Sequence, residues 1–326
     1  MGIYADMILY SDEKSRETLT KCVLVHGNNV LDYCHKYKGL FTEEKTKEGL
    51  TDINGLSLGD VPNAAPSFPN MFFEFNTEQF GNIVGFPKAI GVFATSFDFQ
   101  NRDDEKMKTI SIFGMQGAFG ISCETMIQKS IFKDVRWIIN ATVFASPLSE
   151  QSEKALCCRE ACKFIIGVNS DGSIPKYTEI DGEERFFCIP VYNTYDDENL
   201  GEYYIAKRRW ICQSMATAAL MCLSFMHCKN VIPESIDIDE SNKRVRRQNK
   251  YREKHGLPKL KQYTLNIDPM KKVMNSEGDI EHYGLKKALH ICRGHFRNYM
   301  EGSIKFGNLQ GMYWVPDYKN YNIKMD

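Results

Sequence analysis

The run that most constrains this chain is residues 210–228, WICQSMATAALMCLSFMHC. A membrane-spanning helix needs about 20 mostly apolar residues, and this run has the length. It lacks the uniformity. Gln213, Ser214, Thr217, Ser224 and His227 interrupt it, and Lys207, Arg208 and Arg209 precede it. The better reading is a long helix over about 203–228, buried in a protein core. The charged loop TYDDENLGE leads into it, and Pro233 follows its end.

A core helix needs partners, and the rest of the chain supplies strand patterns. Met71–Phe75 (MFFEF), Ile83–Phe97, Lys108–Phe113 (KTISIF), Val135–Phe144 (VRWIINATVF) and Arg185–Val191 (RFFCIPV) are rich in aromatic and β-branched residues. Gly85, Pro87 and Gly91 interrupt the second of them, and the DDEK run at 103–106 suits a solvated hairpin end. Tyr263–Ile267 and Met312–Val315 are later strand candidates. Together these predict an antiparallel sheet or meander. Helical signals lie in the first forty residues, with Ser11 as a cap. They recur at 151–167, where Ala155, Cys158, Cys162 and Ile165 fall three or four apart, and at Gly284–Cys292, ending at Gly294. Residues 41–70 carry Pro62, Pro66 and Pro69 and read as a loop. At 43% hydrophobic and 25% charged, the chain is not disordered, collagenous or coiled-coil. The expected class is α+β: a mixed, largely antiparallel sheet with flanking helices and a basic C-terminal segment.

The net charge of -1 conceals a division. Residues 1–240 hold 23 Lys and Arg against 34 Asp and Glu; residues 241–326 hold 18 against 8. The expected organisation is an acidic α+β body over 1–235, a basic connecting segment over 236–262, and a C-terminal module over 263–326 packed on the body. Residues 243–262, KRVRRQNKYREKHGLPKLKQ, contain nine Lys or Arg and one Glu. Their charges are expected on all faces of a helix. Lys243, Arg244, Arg246, Arg247, Lys250 and Arg252 suit contact with RNA, DNA or an acidic protein, or pairing with the acidic body.

Eleven cysteines, an odd number with Cys157 and Cys158 adjacent, do not read as a disulfide framework. MGIYADMILYSDEK has neither the basic nor the apolar region of a secretory signal. A reduced cytoplasmic compartment is expected. Cys157, Cys158 and Cys162 lack a CxxC partner and read as buried thiols. Gly114, Gly117 and Gly120 match neither a dinucleotide fingerprint nor a Walker loop and read as a turn. Asp237, Asp239 and Glu240 read as a solvated acidic loop. No GxSxG, HExxH or kinase set is present, and no metal or cofactor is expected.

The sharpest pattern is His290-x-x-Arg293-Gly294-His295-Phe296-x-x-Tyr299-x-x-Gly302, followed by Trp314, Val315 and Pro316. Two imidazoles, a guanidinium and a phenol suit recognition of an anion or phosphate. They also suit metal-independent RNA cleavage, with His290 and His295 as the acid–base pair, Arg293 stabilising the phosphorane and Tyr299 orienting. A purely architectural role is the third reading. Zinc is disfavoured, because the two histidines are five apart and only Cys292 stands nearby.

The run HICRGHFRNYMEGS with its downstream WVP resembles the C-terminal signature of a group of phage and prophage proteins. That group includes the type V-A anti-CRISPR proteins that lower production of a host effector nuclease. The matching positions are His290, Arg293, Gly294, His295, Phe296, Tyr299, Gly302, Trp314 and Pro316. Upstream, MFFEF, GVFATSF and the basic segment leading into YTLNID are similar in order. The resemblance implies a phage-encoded counter-defence protein in the host bacterial cytoplasm. It would bind a host defence protein or its nascent peptide, with an RNA- or ribosome-facing surface and no membrane partner. In that role His290, Arg293, His295, Tyr299 and Trp314 would form a recognition site, so binding is favoured over catalysis.

Overall fold

The computed structural model describes residues 22–45, 51–80, 87–98, 134–145, 159–178, 182–192, 202–228, 231–236, 243–254, 259, 262–267, 291–292, 295–299, 311–315 and 318–319. Its strands in chain order are β1 (Val23–His26), β2 (Glu43–Lys45), β3 (Thr51–Ile53), β4 (Asn70–Asn76), β5 (Ala89–Asp98), β6 (Val135–Ala145), β7 (Arg159–Asn169) and β8 (Lys176–Thr178). They continue as β9 (Glu184–Phe186), β10 (Cys188–Tyr192), β11 (Ile232–Ile236), β12 (Gln262–Asn266), β13 (Ile291–Cys292), β14 (His295–Tyr299), β15 (Gly311–Val315) and β16 (Tyr318–Lys319). The helices are α1 (Asn28–Lys38), α2 (Glu202–Met226) and α3 (Lys243–Lys254).

Eight strands form one sheet in the order β10-β7-β6-β5-β4-β1-β12-β11. Only β1 pairs in parallel, with β4 on one side and β12 on the other; the remaining neighbours are antiparallel. The fold is α+β with a mixed, largely antiparallel sheet and flanking helices. Register explains the apolar run MFFEF. Met71, Phe73 and Phe75 stand opposite Ala94, Val92 and Ile90 of β5, and these continue into Ala141 and Val143 of β6. That face is buried beneath α1 and α2. Phe72 points to the other face and is also fully buried, with Leu24 beside it. A strand buried on both sides reads as a continuous apolar run without alternation.

Helix α2 lies in the core. From Ile211 to Phe225 only Gln213 is exposed. Two of its buried hydroxyls donate to main-chain carbonyls: Thr217 Oγ1 to Gln213 O at 2.9 Å, and Ser224 Oγ to Asn63 O at 2.7 Å. No described helix is long and apolar enough to cross a membrane.

Several local expectations are corrected. Residues 159–167 are strand, not helix: Cys162, Phe164, Ile166 and Val168 are inward at every second position. The three- and four-residue spacing was a coincidence within a doubly buried strand. Cys162 is a buried free thiol, but on a strand. Residues 22–40 are not all helical, since β1 precedes α1. Ile291–Cys292 is strand β13 where the end of a short helix was expected. Arg185–Val191 is split at Phe187 into β9 and β10. Ser11, the strand at 108–113, the DDEK run, the triplet Gly114, Gly117 and Gly120, Cys157, Cys158, Asp237, Asp239 and Glu240 lie outside the described residues.

Candidate functional site

The basic segment folds as α3 because KRVRRQNKYREK is composed almost wholly of good helix formers. Arg252 and Lys254 in its last turn also complement the helix dipole. The helix connects β11 to β12, the outermost antiparallel pair of the sheet. Val245, Asn249 and Arg252 are buried, at spacings of four and three, so they form one inward stripe. Lys243, Arg246, Arg247, Lys250, Tyr251, Glu253 and Lys254 are exposed. At 3.6 residues per turn, the five exposed cations fall within an arc of about 100°. Tyr251 borders that arc beside Arg247, and Glu253 borders it beside Arg246. The charges therefore do not surround the helix. Arg252 belongs to its inner side, and the side chain of Arg244 lies outside the described residues.

The C-terminal motif is only partly described. His290 and Arg293 lie outside the described residues. His295 and Tyr299 begin and end β14, and Trp314 lies on β15. These two strands pair antiparallel, with His295 opposite Val315, Phe296 opposite Trp314 and Tyr299 opposite Gly311. Strands β13 and β16 pair in the same register, Ile291 opposite Lys319. The pattern over 290–302 and the downstream WVP are thus two sides of one ribbon. Met312 on β15 is partly buried and packs against the core of the large sheet.

A polar row that the sequence did not suggest crosses the parallel strands. His26, Glu74 and Thr264 stand in register on β1, β4 and β12. Gln262 Nε2 donates to Glu74 Oε2 at 3.5 Å, and Asn29 Nδ2 donates to Leu265 O at 3.0 Å. Burial holds the His26 imidazole below its ordinary value, which favours the neutral ring. The row is assembled from three distant segments, so no local spacing could have revealed it. Among the described residues, no group of three or more His, Cys, Asp or Glu converges as a metal site requires.

Comparison with known protein families, with curated proteins and with solved structures finds no match to this chain.

Proposed function

We propose that this is a phage-encoded counter-defence protein that acts by binding. It lowers the expression or activity of a defence protein in the host bacterial cytoplasm, and it meets RNA at the site of synthesis through α3. The observation that supports the RNA-facing part is the cationic arc of α3, backed by the buried stripe Val245, Asn249 and Arg252. Five cations held on one side of an anchored helix give a polyanion a fixed line of charge. The counter-defence role is supported by the C-terminal resemblance, whose two parts meet in the β14–β15 ribbon.

The test is co-expression in bacteria with a type V-A effector nuclease, reading both nuclease protein and its messenger against an unrelated reporter. The protein lowers the nuclease and spares the reporter, and Arg247→Glu/Lys250→Glu restores the nuclease. Unchanged nuclease levels across such effectors would sink the counter-defence role. A double variant as active as the parent would remove α3 from it.

A further inference from the structure

We infer that α3 binds double-stranded RNA through its phosphates alone, whatever the base sequence. This deepens, and rests on, the RNA-facing reading above. Lys243, Arg247, Lys250 and Lys254 stand at spacings of four, three and four residues, so they form one row within an arc of about 60°. The row is about 16 Å long at about 1.5 Å per residue. It lies opposite the buried Val245, Asn249 and Arg252, so it is the outermost line of the helix. All four side chains are exposed, and none is held by a hydrogen bond or ion pair among the described residues.

The row offers charge and nothing else. Arg246 and Tyr251 on its flanks already hold interactions of their own, so neither is counted in it. Lysine and arginine only donate hydrogen bonds, which suits phosphate oxygens. Proteins that hold single strands add base stacking to charge. This row supplies no stacking, and a flexible strand would have to be ordered along it. A duplex holds its phosphates in order before it binds. It carries one charge per about 1.7 Å of axis, against about 3.4 Å for one strand, so the same row meets about twice the density. Double-stranded RNA is recognised by its backbone and shape, since side chains cannot read its deep, narrow major groove. A row without base readers therefore favours the duplex and accepts any sequence.

Fluorescence anisotropy of the full-length protein with a labelled RNA duplex of about 16 base pairs tests this. The competitors are an RNA duplex of scrambled sequence, the separated strands and the matching DNA duplex. With four phosphates neutralised, duplex affinity falls about a hundredfold between about 50 and 200 mM salt. Arg247→Gln/Lys250→Gln keeps the fold, as circular dichroism reports, and about halves the dependence of log affinity on log salt. The scrambled duplex competes equally, and the single strands at least about tenfold less well. Single strands that compete as well as the duplex overturn the duplex inference and leave the RNA-facing reading standing. An unchanged salt dependence in the folded variant removes the row from the site. Poor competition by the scrambled duplex overturns recognition by phosphate alone, and tighter binding to the DNA overturns the choice of RNA. If neither form of RNA binds, the RNA-facing reading fails as well; restoration of the nuclease by Arg247→Glu/Lys250→Glu then assigns the row to an acidic protein surface.

Discussion

Gly27 joins the central strand β1 to α1, and adding one methyl there is expected to destabilise the protein. Gly27 has φ -92° and ψ 6°, a conformation open to any L residue. On backbone grounds alone, Gly27→Ala would stabilise by about 0.4–1 kcal/mol, because the unfolded chain loses freedom. Packing opposes this. A Cβ at position 27 would lie 2.3 Å from Phe75 Cε1, with Cδ1 at 2.8 Å and Cζ at 2.9 Å. Phe75 is fully buried, and its ring has no free end to swing aside. Overpacking of this kind costs about 1–3 kcal/mol, so the net loss is about 1–2 kcal/mol. The Gly27 N–H still donates to Glu74 O, at 2.9 Å in the parent, so lost hydrogen bonding does not confuse the result. Urea unfolding followed by circular dichroism measures the loss as a lower midpoint at unchanged slope. Phe75→Leu makes room for the methyl. The double variant is therefore less destabilised than the sum of the singles by about 1 kcal/mol or more. A midpoint for Gly27→Ala at or above the parent's, or strict additivity, would refute the steric argument.

Three further outcomes follow from the same structure. Ser224 Oγ donates to Asn63 O at 2.7 Å and accepts from Asn63 N at 3.2 Å, tying the proline-containing loop to α2. Ser224→Ala should cost about 1–3 kcal/mol and speed proteolysis between residues 61 and 69; an unchanged cleavage rate counts against the tie. The folded-state pKa of His26 is lowered by burial, so the unfolded chain takes up its proton first as pH falls. Stability should be full above about pH 6.5 and decline as pH drops through the folded-state value. His26→Gln should flatten that part of the profile, and an identical profile in the variant overturns the assignment. Burial pushes the Cys34 and Cys222 thiols up, and those of Cys188 and Cys228 up to about 12. Peptide mapping after alkylation at pH 8 should find Cys34 and Cys222 unlabelled in native protein and labelled in urea; rapid native labelling of either excludes a closed core.

The legible parts of the fold were those where local pattern and tertiary environment agree. MFFEF, VRWIINATVF and the 210–228 run are mostly apolar, and most of their residues are buried. Residues 159–167 misled because a strand buried on both faces has no alternating polarity to distinguish it from a helix. Its three- and four-residue apolar spacing fitted either. The parallel pairing of β1 with β4 and β12 depends on contacts of position 24 with positions 72 and 262, far beyond any local window. For the candidate site, charge located α3 but not its inner face. Val245, Asn249 and Arg252 do not look like an apolar stripe, because two of the three are polar. The place of Tyr251 beside the arc depends on which side of α3 is buried, which the run of charges does not reveal.

Whether the charge of α3 serves the fold or a partner can be decided by stability. Ion pairs elsewhere join Lys38 with Asp60 and Lys176 with Glu184. Among the described residues, no carboxylate pairs with Lys243, Arg247, Lys250 or Lys254. Exposed charges farther apart than about 8 Å are largely screened at physiological salt, so distant acids in the body give these cations little support. They instead face one another. Lys243 with Arg247, Arg246 with Lys250, and Lys250 with Lys254 are like-charge pairs four residues apart, each costing about 0.2–0.5 kcal/mol. A helix that retains such repulsion while anchored by its other side is stabilised less than it could be, as surfaces kept for binding often are. Arg247→Gln/Lys250→Gln removes all three pairs and gives up only the attraction of Lys250 to Glu253. Gln differs little from Arg and Lys in helix propensity. The double variant should therefore unfold at a higher urea concentration, by about 1 kcal/mol at low salt, and bind RNA more weakly. The stability gain should shrink as salt is raised. If the variant is less stable than the parent, these cations are paired within the protein, and the acidic body rather than RNA is their counterpart.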